Sequence, residues 1–148
     1  MLIEFSIKNF LSFKDKQTFS MMASTDDTLE DNYMEVSGVK LLKTTAIYGA
    51  NASGKSNIFK VLFDVGNMIR NSNYYTPNMP LPIIPFKLNS SSLKEPSEFE
   101  IKFIIDNIRY EYGFKADSKN IYEEYLIYYP KGHPAKIFDR KNINEYSY

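Results

Sequence analysis

The sequence predicts an α/β fold in which a strand, a glycine-rich loop and an amphipathic helix are joined to an antiparallel sheet. Three observations support this prediction. Val39 to Tyr48 is an apolar run that ends abruptly at Gly49. From Lys55 to Arg70, apolar residues recur at the three- and four-residue spacing of one helix face. From about residue 98 onward, apolar and polar residues alternate, as in half-buried strands.

The first 23 residues predict a hairpin of two strands. In the first strand, Leu2 to Phe13, apolar Ile3, Phe5 and Ile7 alternate with polar residues. The second strand is predicted from Gln17 to Met22. Ser24 to Gly38, which carries five acidic residues and no basic one, is predicted to be a solvated loop.

Residues 39 to 70 predict the order strand, glycine turn, helix. The expected buried face of the helix carries Ile58, Val61, Leu62, Val65 and Ile69. The following segment, Asn71 to Ser97, contains five prolines among Asn and Ser residues. Long regular structure is therefore not expected there.

Residues 98 to 140 predict an antiparallel meander. Phe99 to Ile105 and Ile108 to Phe114 alternate on either side of Asp106-Asn107, a dipeptide that favours a hairpin turn. Ile121 to Tyr129 and Ala135 to Phe138 are predicted as further strands. The many tyrosines are interpreted as packing residues rather than as a surface for stacking bases.

Composition excludes several classes of protein. The chain has 148 residues and no cysteine, which excludes cystine frameworks, zinc ribbons, iron–sulfur clusters and a thiol nucleophile. The single histidine, His133, excludes a His-rich metal site. Eighteen basic residues balance eighteen acidic ones, so the chain lacks the overall positive charge of a protein that binds nucleic acid by itself. Because no apolar run reaches the roughly 18 residues of a membrane span, we expect a cytoplasmic protein that does not bind membranes.

One motif carries chemistry. Residues 49 to 56, Gly-Ala-Asn-Ala-Ser-Gly-Lys-Ser, match G-x-x-x-x-G-K-[ST] in full, between the predicted strand and helix. The glycines allow the backbone N–H groups to point inward, toward the positive end of the helix. The Lys55 ammonium can reach the β- and γ-phosphates, and the Ser56 hydroxyl can ligate Mg²⁺. The sequence therefore predicts a P-loop NTPase that binds ATP with Mg²⁺, with Ser56 as the metal ligand.

The inner residues of the motif resemble a narrower group. Gly49-x-Asn51-x-Ser53-Gly54-Lys55-Ser56-Asn57 resembles the phosphate loop of the RecF, SMC and OLD branch of ABC-type ATPases, and residues 3 to 15 are similar to the first strand of that group, with its K-N-F-x-S-F pattern. The meander is similar to the antiparallel subdomain of bacterial AAA-family ATPases. The resemblance implies a dimer that sandwiches two ATP molecules and acts in DNA transactions or phage defence. The expected nucleotide-binding residues are Gly49, Asn51, Ala52, Ser53, Gly54, Lys55, Ser56 and Asn57.

Several features of that group are absent from the sequence. No strand ends in Asp-Glu; the nearest fragment, Phe103 to Asn107, is better interpreted as the first arm of a hairpin. No Ser-Gly-Gly signature occurs, and the single glutamine, Gln17, precedes the loop. His133 is interpreted as a turn residue, and Leu11 stands where many relatives carry Arg or Lys. The catalytic residues are therefore unknown from the sequence.

We expect residues 1 to 148 to be the N-terminal portion of one ATP-binding domain, completed by a partner chain or a longer polypeptide. The first hypothesis is an ATPase that hydrolyses ATP as a dimer once the C-terminal half is supplied, with DNA as a partner of the full assembly. The second is a nucleotide-binding or interaction module without hydrolysis. A small-molecule kinase and a GTPase are less favoured: the proline-rich segment has no arginine, and no Asn-Lys-x-Asp motif occurs.

Overall fold

A computed structural model of the chain describes residues 1–25, 29–76, 79–142 and 145–147. The acidic residues Asp26 and Asp27 and one of the five prolines, Pro77, lie outside the described residues. Within these described residues, the regular elements besides short 3₁₀ turns are one α-helix and nine strands: β1 Leu2–Lys8, β2 Gln17–Ser20, β3 Tyr33–Val36, β4 Val39–Leu42, α1 Lys55–Arg70, β5 Ser97–Ile105, β6 Ile108–Ala116, β7 Ile121–Tyr129, β8 Ala135–Asn142 and β9 Glu145–Ser147.

Seven strands form one antiparallel sheet in the order β2-β1-β5-β6-β7-β8-β9. The predicted N-terminal hairpin and the predicted meander are therefore both present, joined edge to edge by the pairing of β1 with β5. In that pairing, Lys8 lies opposite Glu98 and Phe5 opposite Ile101. The first strand ends at Lys8 rather than at Phe13, because Asn9 adopts a φ of 53° and turns the chain.

Helix α1 covers one face of this sheet. Val61, Val65 and Met68 are buried on it and pack in one cluster with sheet residues. The sheet contributes Phe5, Ile7, Phe99, Phe114 and Ala116 to that cluster, and Phe10 and Ile83 join from loops. The predicted helix bounds are confirmed. The buried face of the helix differs from the predicted one at its C-terminal end. Met68 packs in the cluster with the sheet, whereas Ile69 is 36% exposed.

The segment before the glycine-rich loop departs from the prediction. A strand was expected from Val39 to Tyr48, but β4 ends at Leu42 and no described strand pairs with residues 43–48. The strand β4 instead pairs with β3, which lies inside the segment predicted to be a solvated loop. A short 3₁₀ turn, Glu30–Asn32, precedes β3. Both differences have the same cause. A strand needs a hydrogen-bonded neighbouring strand, and Val39–Leu42 pairs with β3 in an antiparallel hairpin.

The α/β prediction therefore holds only in part. The described chain is mostly antiparallel sheet with one helix of 16 residues. Across the sheet, aromatic rings pack on one another as predicted, with Phe99 and Phe114 stacked at 4.9 Å and Phe103 and Tyr110 at 5.4 Å between ring centroids. Between α1 and β5, the described residues of the proline-rich segment form two short 3₁₀ turns, Ser72–Tyr74 and Ser92–Lys94, and no long regular structure, also as predicted.

Candidate functional site

The glycine-rich loop leads directly into the amino-terminal end of α1. Ala52 and Gly54 both have positive φ, 63° and 92°, a backbone region that glycine adopts freely and alanine rarely. Gly54 is the N-cap residue, and no side chain caps the helix there. The first N–H groups of α1 therefore face the loop without a side-chain acceptor, an arrangement that suits an anion.

The Lys55 ammonium lies at the mouth of this loop. Its Nζ donates to the carbonyl oxygen of Gly49 at 2.8 Å and to that of Ala50 at 2.7 Å. These carbonyls hold the cation over the loop, and no carboxylate pairs with it within the described residues. Because both acceptors are neutral carbonyls, no negative side chain offsets the positive charge of Lys55, and the ammonium can attract a phosphate group.

The absence of a side chain at Gly49 lets the loop pack closely on itself. A Cβ atom there would lie 2.9 Å from Oγ of Ser53 and 3.8 Å from Cδ of Lys55. The space that glycine leaves is filled by these two side chains. The loop therefore brings Ser53 and Lys55 against its own first residue, although residues 43–48, directly before it, form no described strand.

The turn between β1 and β2 forms one wall of the site. A Cβ atom at Gly54 would lie 2.9 Å from Oγ of Ser12 and 3.9 Å from Cε1 of Phe13. In addition, Asn57 Nδ2 donates to Ser12 Oγ at 2.9 Å. The sequence analysis assigned no role to Ser12 or Phe13, although the K-N-F-x-S-F pattern that contains them was the available signal.

Two cavities meet at the loop. One, of about 200 Å³, is lined by residues 52–57. The other, of about 260 Å³, shares Ser53 with the first and has the apolar side chains of Phe13, Ile47 and Ile58 in its wall. A polar cavity with N–H donors and a cation therefore adjoins a largely apolar one, the combination that a phosphate-bearing ligand with a flat apolar part would need.

The structure brings most of the predicted site residues together. Ala52, Ser53, Gly54, Lys55, Ser56 and Asn57 line the smaller cavity, and Gly49 contacts it through Lys55. Ser56 is exposed in the first turn of α1, where its hydroxyl is accessible to a metal ion. Asn51 is exposed and does not line the cavity. Within the described ranges, no cluster of three or more His, Asp or Glu residues could hold a metal ion.

Asp106 and His133, for which the sequence favours turn positions over a role in the site, both lie in turns. Asp106 and Asn107, with φ of 50° and 62°, form the two-residue turn of the β5–β6 hairpin. Ser97, at the other end of β5, lies near the loop end of β1, and a nine-residue strand at about 3.3 Å per residue places Asp106 roughly 30 Å from that end of the sheet. His133 is exposed in the turn between β7 and β8, as predicted.

Comparison with known families identifies the chain. Residues 44–145 match the model of a family described as "AAA domain, putative AbiEii toxin, Type IV TA system". The chain belongs to this AAA domain family. The match contains the whole glycine-rich loop, and the domain is nucleotide-binding and ATPase-like. No curated protein matches the chain.

The family implies use of ATP and Mg²⁺ in general. The donors at the loop fit these groups: a helix terminus without a side-chain cap and the Lys55 ammonium suit phosphate, and the Ser56 hydroxyl suits a hard cation. None of the helices in the part of the chain that the structure describes is long and apolar enough to cross a membrane.

Proposed function

We propose that this AAA domain binds MgATP at residues 49–57 and belongs to the RecF, SMC and OLD-like group. The observation that supports this best is the Lys55 ammonium, bonded to the carbonyls of Gly49 and Ala50 over an uncapped helix terminus. On nucleotide binding, the ammonium exchanges these neutral acceptors for phosphate oxygens. Ser56 ligates Mg²⁺, and the N–H groups of the loop and first helical turn hold the remaining oxygens.

The apolar cavity beside the loop is the proposed position of the nucleobase. Phe13, Ile47 and Ile58 offer an apolar surface to the flat face of a base. The polar side chains in the same wall, Gln17 and Thr18, each carry both a donor and an acceptor, so they suit the edge of adenine as well as that of guanine. We expect ATP to be preferred over GTP only modestly. A phosphate-directed site with a loosely held base is consistent with an ATP-dependent switch.

Hydrolysis is proposed to need further polypeptide, from a longer chain or a partner, that completes residues 1–148 as one ATP-binding domain. Phosphoryl transfer needs a group that orients the attacking water and charges that stabilise the transition state. The sequence offers no Asp-Glu strand, and Asp106 lies in a distant turn. Supply of these groups from a second polypeptide would make hydrolysis depend on assembly.

The outer face of α1 is the proposed contact for that polypeptide. Phe59 and Phe63 lie one helical turn apart and are 62% and 68% exposed, and Tyr48 beside the loop is 90% exposed. Large apolar side chains exposed together mark an interaction surface. We propose that the partner is a second subunit or the remainder of the ATPase domain. An assembly of that kind could act on DNA or in phage defence in the cytoplasm.

The test is a calorimetric titration with MgATP. Lys55→Ala should lose most of the affinity and keep the fold, because the ammonium contacts loop carbonyls and does not lie in the core. Lys60→Ala is the matched control, since Lys60 lies on the same helix and pairs with Asp64 at 2.7 Å, away from the loop. Equal MgATP affinity of parent and Lys55→Ala would contradict the assignment. Binding without turnover in every assembly tested would favour the non-hydrolysing module instead.

A further inference from the structure

We propose that Ser12, in the turn after β1, is a positioning residue for the phosphate loop, and that Asn57 acts through Ser12 rather than on the nucleotide. The proposal rests on MgATP binding at the phosphate loop, and it removes Asn57 from the direct nucleotide contacts of that site. It starts from one contact: Asn57 Nδ2 donates to Ser12 Oγ at 2.9 Å and joins two segments 45 residues apart. The Asn57 side-chain amide in this bond therefore points toward the turn after β1.

The turn also contacts the loop directly. Gly54 has a φ of 92°, and a Cβ atom there would lie 2.9 Å from Ser12 Oγ. The hydroxyl therefore touches the residue that begins the helix and bonds the side chain of the residue three positions later. These two contacts bracket Lys55 and Ser56, whose N–H groups and side chains make up the proposed phosphate and metal site.

The turn that carries Ser12 is itself firmly held. Phe10 and Phe13 exchange two backbone hydrogen bonds, each of 2.9 Å, and the N–H of Leu11 donates to the carbonyl of Ile84 at 2.9 Å. Asn9, which is 1% exposed, donates through Nδ2 to the carbonyls of Ser92 and Glu95, both at 2.8 Å. Ser12 is thus presented to the loop from a turn fixed to the core.

A fixed Ser12 lowers the ordering cost of nucleotide binding. The loop is exposed and is attached to a helix on only one side, since residues 43–48 pair with no described strand. The bond to Ser12 gives it a second attachment and sets the direction of the first N–H groups of α1. A site oriented before the ligand arrives binds it more tightly than one that must be ordered on binding.

The first experiment is a double-mutant cycle on MgATP affinity, measured by calorimetry. Ser12→Ala and Asn57→Ala should each weaken binding about fivefold, and the double variant should be no more than about fivefold weaker, because both changes remove the same bond. Ser12→Thr keeps the hydroxyl and should restore parental affinity. Ser90→Ala, at an exposed loop serine, is the matched control. Parental affinity in Ser12→Ala would overturn the positioning role of Ser12, and a double variant weakened about 25-fold would show that Asn57 acts on the nucleotide independently.

The second experiment needs no nucleotide. Amide hydrogen exchange of the free protein should accelerate in residues 54–60 in both Ser12→Ala and Asn57→Ala, and stay parental in Ser90→Ala and in the strands β5 to β7. Unchanged exchange in residues 54–60 would overturn the positioning role even if the parent bound MgATP. Conversely, the parent protein could fail to bind MgATP while the two variants still show faster exchange in residues 54–60. That result would overturn the proposed function and leave the positioning contact established.

Discussion

The ring of Tyr125 in β7 lies directly over Gly113 in β6. The two residues are opposite each other in the sheet, and a Cβ atom at position 113 would be 2.4 Å from Cζ of the ring. Beyond Gly113, the Tyr125 hydroxyl donates to Glu100 Oε2 in β5 at 2.9 Å. One side chain therefore spans three strands, and the missing side chain of Gly113 makes the space for it.

Gly113→Ala is expected to destabilise the protein by about 1–3 kcal/mol, because the added methyl group displaces the Tyr125 ring and its bond to Glu100. Alanine would otherwise be favoured over glycine inside a strand. Gly66→Ala is the control: no atom lies within 4 Å of its Cβ position on α1, so a gain of up to ~1 kcal/mol is expected. Urea unfolding measures both. A Gly113→Ala protein as stable as the parent would show that the ring moves without cost.

The raised pKa of Tyr125 predicts that the folded protein loses stability at alkaline pH. Burial, and then the hydrogen bond to Glu100, raise the pKa of Tyr125 above its ordinary value of 10.0. A phenol with a higher pKa in the folded chain stabilises the fold below pH 10, and this contribution is lost as pH rises above 10. Unfolding midpoints measured across this range should fall less steeply for Tyr125→Phe. Identical slopes for the two proteins would contradict the assignment.

Asn9→Ala is expected to be among the most destabilising single changes. It leaves the carbonyls of Ser92, which is buried, and of Glu95 without their side-chain donor and removes the acceptor of the Phe86 N–H, at a cost of about 2–4 kcal/mol. Asn9 also has a φ of 53°, so Asn9→Gly relieves the backbone strain and should be the milder change. Asn73→Ala, at an exposed asparagine, is the control. Similar unfolding free energies for Asn9→Ala and Asn73→Ala would refute this role.

Ser56→Ala should weaken nucleotide binding mainly when Mg²⁺ is present. Its hydroxyl is exposed in the first turn of α1 and has a metal-ligand role in the proposed site, whereas phosphate is held by Lys55 and the backbone. Calorimetric titrations with ATP in Mg²⁺ and in a chelator measure the difference. A loss of equal size in both conditions would assign Ser56 to phosphate rather than to metal.

The chain by itself should bind MgATP without turning it over at an enzymatic rate. Asp106, the only acidic residue that follows an apolar strand in the sequence pattern of a metal site, lies in the β5–β6 turn. Asp106→Asn should therefore leave nucleotide affinity and background hydrolysis unchanged. Phosphate release is the measurement. Turnover near one per second that Asp106→Asn abolishes would place the metal strand at β5 after all.

Local sequence signals predicted the elements whose partners are neighbours in the chain. The alternation and the Asp106-Asn107 turn were sufficient for the meander, because each of its strands pairs with the next one. The periodicity was sufficient for the bounds of α1. For the candidate site, the motif located the cavity lined by residues 52–57, but it did not show that Asn51 lies outside that lining.

Contacts between distant segments could not be predicted. Val39 to Tyr48 has the composition of a strand, but the place where it pairs depends on β3, whose residues look like part of an acidic loop. Ser12 carries no chemical signature, and its role depends on Asn57, 45 residues away. In the sequence, Asn9 is a polar residue at the end of a strand. Only the folded chain shows that its buried amide hydrogen-bonds to the backbone of Ser92, Glu95 and Phe86.

The pairing of β1 with β5 has a consequence for how the domain folds. These neighbours are separated in the chain by β2, the β3–β4 hairpin, the phosphate loop and α1, so Phe5 meets Ile101 only after some hundred residues have been synthesised. Such a long-range closure is slow compared with the zipping of adjacent hairpins. The meander can form first, and the late docking of β1 brings the Ser12 turn onto the phosphate loop. During synthesis on the ribosome, nucleotide-binding competence should therefore appear last and in one step.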